Sequence, residues 1–262
     1  MATITSRHNA LVARFRAAAR RDDEEMLLLD GVHVVADALA AGVRLEQVAV
    51  TAAGRDDPAL QPLLRDLQNA RIDIAIASSQ VMDAISPVRS SSAIAALARR
   101  PTPQHDALYP GGDTLVVIAV DVQDPGNTGA IVRVAEAAGA TGVVAAGSTA
   151  DPFGWKALRG SMGSALRLPV LRQIRPADAV DEARRRGCRI VATVPRGGRS
   201  PYELDLGGPV AVLIGGEGQG LAAALVDVAD EKVSVPMQSP VESLNAAVTA
   251  ALIVYEARRQ RL

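Results

Sequence analysis

Aromatic side chains are scarce in this 262-residue chain: two phenylalanines, three tyrosines and one tryptophan. Backbone groups can read a flat ligand without aromatic stacking, which suits such a chain, and Trp155, which could stack on a base, is expected rather to pack on its own domain. Cysteine is rarer still. Cys188 stands alone, so neither an intrachain disulfide nor a cysteine metal cluster can form. Three scattered histidines do not make a zinc site, and no metal is expected. Lysine occurs only at positions 156 and 232, and the formal net charge of −1 denies the chain any global attraction to a polyanion. A nucleic-acid surface would have to be a local patch. No apolar run reaches the roughly twenty residues of a membrane helix, and the first nine residues lack the apolar core of a signal peptide. A soluble, cytoplasmic protein without a membrane partner is expected.

The length suggests about two domains, each large enough for its own core. Residues 101–113 carry three prolines and an adjacent glycine pair and read as a linker. Upstream, residues 1–100 alternate between strand and helix patterns. Met26–Leu29, Glu46–Thr51, Arg71–Ala77 and Ile94–Ala98 read as strands, and Val32–Ala41 and Ala59–Ala70 as helices, with Ser6 capping a first helix. Residues 114–262 alternate likewise, which predicts an α/β domain with a mostly parallel sheet.

The most informative stretch lies late in the chain. Val210–Ile214 is a short apolar run that stops at Gly215-Gly216-Glu217-Gly218-Gln219-Gly220, as a buried strand running into a glycine loop would. A second run, Lys232–Pro236, alternates and ends at proline, with Met237 following. Ser239-Pro240-Val241-Glu242 then fits a helix start with a capping box, placing Ser243, Leu244 and Asn245 in the first turns. Val241, Leu244, Val248, Leu252 and Tyr255 recur at helical spacing, which predicts a buried stripe. The glycine run alone is compatible with a plain turn. It lacks the Lys-Ser/Thr ending of a P-loop, and no dinucleotide fingerprint is present.

A third segment changes the balance. Leu115–Val120 reads as a strand, followed by Asp121-Val-Gln-Asp124-Pro-Gly-Asn127-Thr128-Gly-Ala-Ile-Val-Arg133 and an alanine-rich helix that Gly139 would end. Asn127 or Thr128 is placed to cap this helix, and Arg133 can lean back towards the loop that carries Asn127.

Together, Asn127–Arg133, Gly215–Gly220 and Pro236-Met237 with Glu242–Asn245 resemble, in order, the three motifs of the TrmH (SpoU) family in the SPOUT class of RNA ribose 2′-O-methyltransferases. Asp151-Pro-Phe and Arg159-Gly-Ser-Met-Gly-Ser164 match the pattern between the first two, and the likeness covers about residues 114–262. The resemblance implies a deep C-terminal trefoil knot, S-adenosyl-L-methionine held by the knot loops, and a homodimer whose subunits complete each other's sites. Gly215, Gly216, Val235, Pro236, Met237 and Leu244 then match cofactor-binding positions, and Asn127, Arg133, Glu217, Ser243 and Asn245 catalytic ones. Two roles stay open for Arg133. The family proposal is activation of the ribose hydroxyl, but a guanidinium with a pKa above about 12 is a poor base and suits a phosphate clamp.

Longer members of the family carry a ribosomal-protein-like RNA-binding domain ahead of the knot, so residues 1–100 are expected to grip folded RNA, rRNA rather than tRNA. Arg7, Arg14, Arg16, Arg20 and Arg21 crowd the N-terminus, and Arg7, Arg14 and Arg159 are the candidate RNA contacts. Asp22–Glu25 follow directly and cancel much of that field. His33 stands where arginine is frequent in the family, and Ser90–Ala93 where a Gln-Gly step is common. A non-catalytic ribosome-assembly scaffold is the reading from another class. The polar set Asn127, Arg133, Glu217, Ser243 and Asn245 argues against it.

Overall fold

The computed structural model describes residues 3–20, 22–87 and 91–262; Arg21 and Ser90 lie outside them. Packing divides the chain into two units, Met1–Pro101 with Phe153–Trp155, and Thr102–Pro152 with Lys156–Leu262.

The first unit holds strands β1 (Thr3–Ile4), β2 (Met26–Asp30), β3 (Leu45–Thr51), β4 (Ile74–Ala77) and β5 (Ile94–Arg99). Its helices are α1 (Ala10–Arg20), α2 (Val32–Ala40), α3 (Ala52–Asp56), α4 (Gln61–Asn69) and α5 (Ser79–Ile85). The sheet order is β1-β4-β3-β5-β2, with β4 parallel to both neighbours and β5 antiparallel to β2 and β3. Phe15 of α1 and Met82 of α5 are fully enclosed on one face of this sheet. Ser6 does not cap α1. Its hydroxyl accepts from the His8 amide, and Asn9 Oδ1 accepts from Leu11 N at 2.9 Å.

In the second unit the strands are β6 (Leu115–Val120), β7 (Gly142–Ala146), β8 (Val170–Ile174), β9 (Arg189–Thr193), β10 (Val210–Gly215) and β11 (Glu231–Val233). Helices α6 (Pro125–Ala137), α7 (Trp155–Ser161), α8 (Ser164–Arg167), α9 (Pro176–Arg185), α10 (Ala223–Asp227) and α11 (Ala246–Arg261) alternate with them. Every pairing in the order β11-β9-β10-β6-β7-β8 is parallel. Strands β6 and β7 are buried along their whole length, as parallel strands covered on both faces must be. Leu108 and Tyr109, from the proline-rich stretch, pack into this core, and burial pushes the Tyr109 phenol up to about 12. Cys188 is buried there too, its thiol pushed up by desolvation to about 11.

The last helix departs from its sequence reading. It starts at Ala246, capped by Asn245, not at Pro240, so Ser243 and Leu244 lie in the loop before it. The stripe of Val241, Val248, Leu252 and Tyr255 is exposed, between 40% and 49%. The buried face is instead Ala246, Ala250, Ile253, Val254 and Ala257, and α11 packs against α6. Periodicity identified an apolar stripe but could not say which apolar face the domain itself covers.

Candidate active site

In open parallel sheets, ligands bind beyond the carboxyl ends of the strands. Here those ends open onto a cleft of about 360 Å³ inside the second unit, within the range of about 300–1,000 Å³ usual for small-molecule sites. Three segments line it: Thr193–Pro195 after β9, Gly215–Leu221 after β10, and Val235 and Met237 with Ser243–Ala246 leading into α11. Of the residues expected at a cofactor, Gly215, Gly216, Val235, Met237 and Leu244 are on this wall. Pro236 is exposed and is not among the lining residues. Thr193–Pro195, Leu221 and Val226 also line it and escaped the sequence reading, because an ordinary strand end carries no chemical signature.

The glycine loop has two physical reasons for its composition. A Cβ on Gly216 would stand 2.0 Å from the Asp121 carbonyl oxygen, so only glycine lets the end of β10 touch the end of β6. Further on, the Gly220 amide returns to the Gly216 carbonyl at 3.2 Å, and Gly218 takes a φ of 90°, which L side chains rarely adopt. The fold-back presents Glu217 and Gln219 at the cleft.

Helix α6 is capped by Asp124, neither by Asn127 nor by Thr128. Asp124 Oδ1 accepts from the Asn127 amide at 2.8 Å, with Pro125 in the first turn. Thr128 turns inward and donates to the carbonyls of Val122 and Asp124. The Asn127 side chain is thereby left free for the site. Its Nδ2 donates to Glu217 Oε1, and its Oδ1 accepts from Asn245 Nδ2 at 2.9 Å. Asn245 Oδ1 in turn accepts from the Ala247 and Val248 amides, at 2.9 and 3.3 Å. The helix amides can only donate, so Asn245 must turn its oxygen to them and its NH2 to Asn127. Asn127 must then present its own NH2 to the Glu217 carboxylate. One helix start thus fixes the orientation of two amides and aims both towards Glu217.

Ser243 joins Glu217 and Asn245 on the cleft wall; Asn127 stands behind them, bonded to both, and Arg133 is not among the lining residues. Arg133 is exposed on α6, and among the described residues it forms no hydrogen bond or ion pair. Arg159 is likewise exposed on α7. In the first unit Arg7 is exposed, whereas Arg14 is engaged by Glu46 at 3.1 Å. Among the described residues no group of three or more metal-ligating side chains occurs, and no helix is long and apolar enough to cross a membrane.

Comparison with known proteins agrees with this architecture. Residues 114–255 match the SpoU rRNA Methylase family, and residues 1–108 match the N terminus of the thiostrepton-resistance methylases. The 23S rRNA (guanosine(2553)-2′-O)-methyltransferase RlmP of Bacillus subtilis is 32% identical, with 91% of this chain and 90% of that protein covered. The 23S rRNA (uridine(2479)-2′-O)-methyltransferase of Streptomyces viridochromogenes is 35% identical over 76% of this chain and 71% of its own length. Among solved structures, an AdoMet-bound rRNA methyltransferase from Sinorhizobium meliloti superposes with a TM-score of 0.87 at 27% identity, covering 99% of this chain and 98% of that one. Such a fold and such matches define an RNA methyltransferase. The chain belongs to the SpoU rRNA Methylase family.

The cleft fits S-adenosyl-L-methionine, the cofactor of the family. Its peptide groups can read a purine edge, its aliphatic side chains Leu244, Val235 and Val226 can cover the ring faces, and the Glu217 carboxylate suits a cationic centre.

Proposed function

We propose that this protein transfers a methyl group from S-adenosyl-L-methionine to a ribose 2′-hydroxyl of large-subunit rRNA. The observation that carries the reading is the Glu217–Asn127–Asn245 relay, set at the wall of a glycine-built cleft in a chain of this family. Bound cofactor supplies a methyl on a positively charged sulfur. What remains for the protein is to hold the 2′-oxygen in line with that methyl while the hydroxyl proton passes to solvent, so most of the acceleration comes from positioning. Asn127, Ser243 and Asn245 orient the ribose and cofactor, and Glu217 fixes Asn127 and faces the cationic centre. Gly215, Gly216, Val235, Met237 and Leu244 hold the adenosine portion, with Pro236 shaping their loop.

A homodimer completes the site. Support comes from the uncovered face of α11, where Val248, Leu252 and Tyr255 are 40% to 48% exposed, and from Arg133, which has no partner in its own subunit among the described residues. Arg133 clamps the phosphate beside the target ribose of the partner's site. The deep trefoil knot is part of this reading, and in keeping with it the segment after β9 lies against β11, where Ser234 Oγ accepts from Gly198 N and donates to Val194 O and Arg199 pairs with β11 residues. The first unit, with Arg7, and Arg159 on the second, bind the RNA body; Arg14, the third expected contact, is engaged by Glu46 and contributes little. With rRNA as substrate, the protein acts in the cytoplasm.

The test is incubation with tritiated-methyl S-adenosyl-L-methionine and undermodified total RNA, followed by size fractionation and nuclease digestion. Label on a ribose of large rRNA is expected. Label in tRNA would redirect the substrate, and absence of both label and cofactor binding would overturn the reading.

A further inference from the structure

The first unit contains a second concavity, of about 560 Å³, between α1 and α5. Three arginines line it: Arg7 from the loop before α1, and Arg16 and Arg20 one turn apart on α1. Arg16 Nε donates to the Ala84 carbonyl at 3.0 Å, which anchors the guanidinium across the groove and leaves its terminal nitrogens unspent. Arg7 and Arg20 are exposed and make no ion pair among the described residues. One carboxylate lines the groove, that of Asp83, and it accepts from Ser91 Oγ at 2.7 Å. This pattern differs from that of the neighbouring basic residues. Arg14, Arg44 and Arg99 all converge on Glu46, whose carboxyl is held low chiefly by the Arg99 hydrogen bond.

We infer that the α1–α5 groove is a phosphodiester-binding track for the RNA backbone, with Arg7, Arg16 and Arg20 each placed to meet a phosphate. The inference rests on the RNA-methyltransferase reading and deepens it. In a chain of net charge −1, attraction to a polyanion must come from places where guanidiniums outnumber carboxylates and are not already paired. Here three face one. Arg16 and Arg20 lie about 6 Å apart along the helix axis, a separation that lets each take a different phosphate of one strand. Guanidinium forks suit phosphate oxygens, and such contacts position an RNA without reading its sequence. The track therefore contributes to affinity and to the register of the RNA, not to methyl transfer.

The experiment compares the full-length wild type with Arg7→Gln/Arg20→Gln, with Arg7→Lys/Arg20→Lys, and with Arg65→Gln on α4, which does not line the groove. Binding to unmodified 23S rRNA transcript is measured across a salt series, and binding to S-adenosyl-L-methionine by calorimetry. The glutamine pair is expected to weaken RNA binding at least tenfold and to reduce the slope of log affinity against log salt by roughly 1.4 to 1.8. The lysine pair should keep most of the slope, Arg65→Gln should match wild type, and cofactor affinity should be unchanged in all. A glutamine pair with wild-type affinity and slope would overturn the groove alone. A wild type that binds cofactor but no RNA would overturn the groove and the RNA reading together. Capture of polyglutamate with the same arginine dependence, and no dependence for rRNA, would replace RNA by an acidic protein partner.

Discussion

Asn245 and Asn127 are 118 positions apart in sequence, and the side-chain NH2 of the first donates to the oxygen of the second at 2.9 Å. The bond joins the start of the last helix to the first turn of α6, and through Asn127 to Glu217 on the glycine loop, so three segments at the cleft are set by one chain of contacts. Asn245 therefore has two separable duties, one to the helix and one to the site.

Substituting Asn245 can part these duties. Asn245→Asp keeps an oxygen for the Ala247 and Val248 amides but sets a second acceptor against Asn127 Oδ1. Folding stability is expected to stay within about 0.5 kcal/mol of wild type while single-turnover methyl transfer falls at least tenfold. Asn245→Ala should lose activity and, in addition, about 1 kcal/mol in chemical denaturation, the usual worth of an N-cap. Equal activity in wild type and Asn245→Asp would show that the donated bond is idle.

Gly216 and Gly218 should respond differently to a methyl group. At Gly216 the added Cβ meets backbone at 2.0 Å, so Gly216→Ala must displace the end of β10; a loss of about 1–3 kcal/mol and collapse of cofactor affinity are expected. At Gly218 no atom lies within 4 Å, and only the φ of 90° opposes a side chain. Gly218→Ala should cost about 1–2 kcal/mol and leave cofactor binding measurable by calorimetry.

Assembly can be tested on the uncovered face of α11. Val248→Asp/Leu252→Asp is expected to sediment as a monomer with unchanged helix content and to lose methyl transfer. If each site draws Arg133 from the partner, mixing inactive Arg133→Ala with inactive Asn245→Ala should restore activity through one intact site per heterodimer. Proven subunit exchange without recovery would argue for a site contained in one chain.

Glu256 links stability to pH. It is 5% exposed, and hydrogen bonds from Arg259 and Gln260 hold its carboxyl below the usual range in spite of burial. A depressed folded value means that this contribution is complete above the unfolded pKa of about 4.3 and is lost as the pH falls through the folded value. Thermal melts of Glu256→Gln should lie below wild type at pH 7, and the gap should close as the pH is lowered below about 4.

Much of this was legible beforehand, for identifiable reasons. Gly215–Gly220 behind an apolar strand announced a close backbone approach, because no other residue type serves there. Asp124-Pro125 carried the cap of α6 in plain view, but Asn127 and Thr128 are equally good caps by type, and only the fold decides which oxygen meets the amides. The start of α11 was misread for a similar reason. Ser239–Glu242 has the composition of a capping box, yet helix formation waits for Asn245, whose amide is also tied to α6. The apolar stripe at Val248, Leu252 and Tyr255 was real; what the residues cannot reveal is whether the chain covers such a face itself. Arg133 illustrates the same limit, since its helix was evident, yet among the described residues no hydrogen-bond or ion-pair partner meets it.

Four of the residues lining the cleft, Gly215, Gly216, Gly218 and Gly220, have only main chain to offer a ligand, and this has a consequence for how the protein can change over time. A peptide group offers the same donor and acceptor in every chain, so this part of the surface cannot be retuned by exchanging side chains. Innovation in cofactor choice is correspondingly difficult, because few point mutations can reach the surface that does the choosing. Gly215 and Gly216 are the exceptions: a methyl group added at either meets backbone, at 2.5 and 2.0 Å, and a lineage that lost the hydrogen atom at Gly216 would have to rebuild the end of β6 to recover.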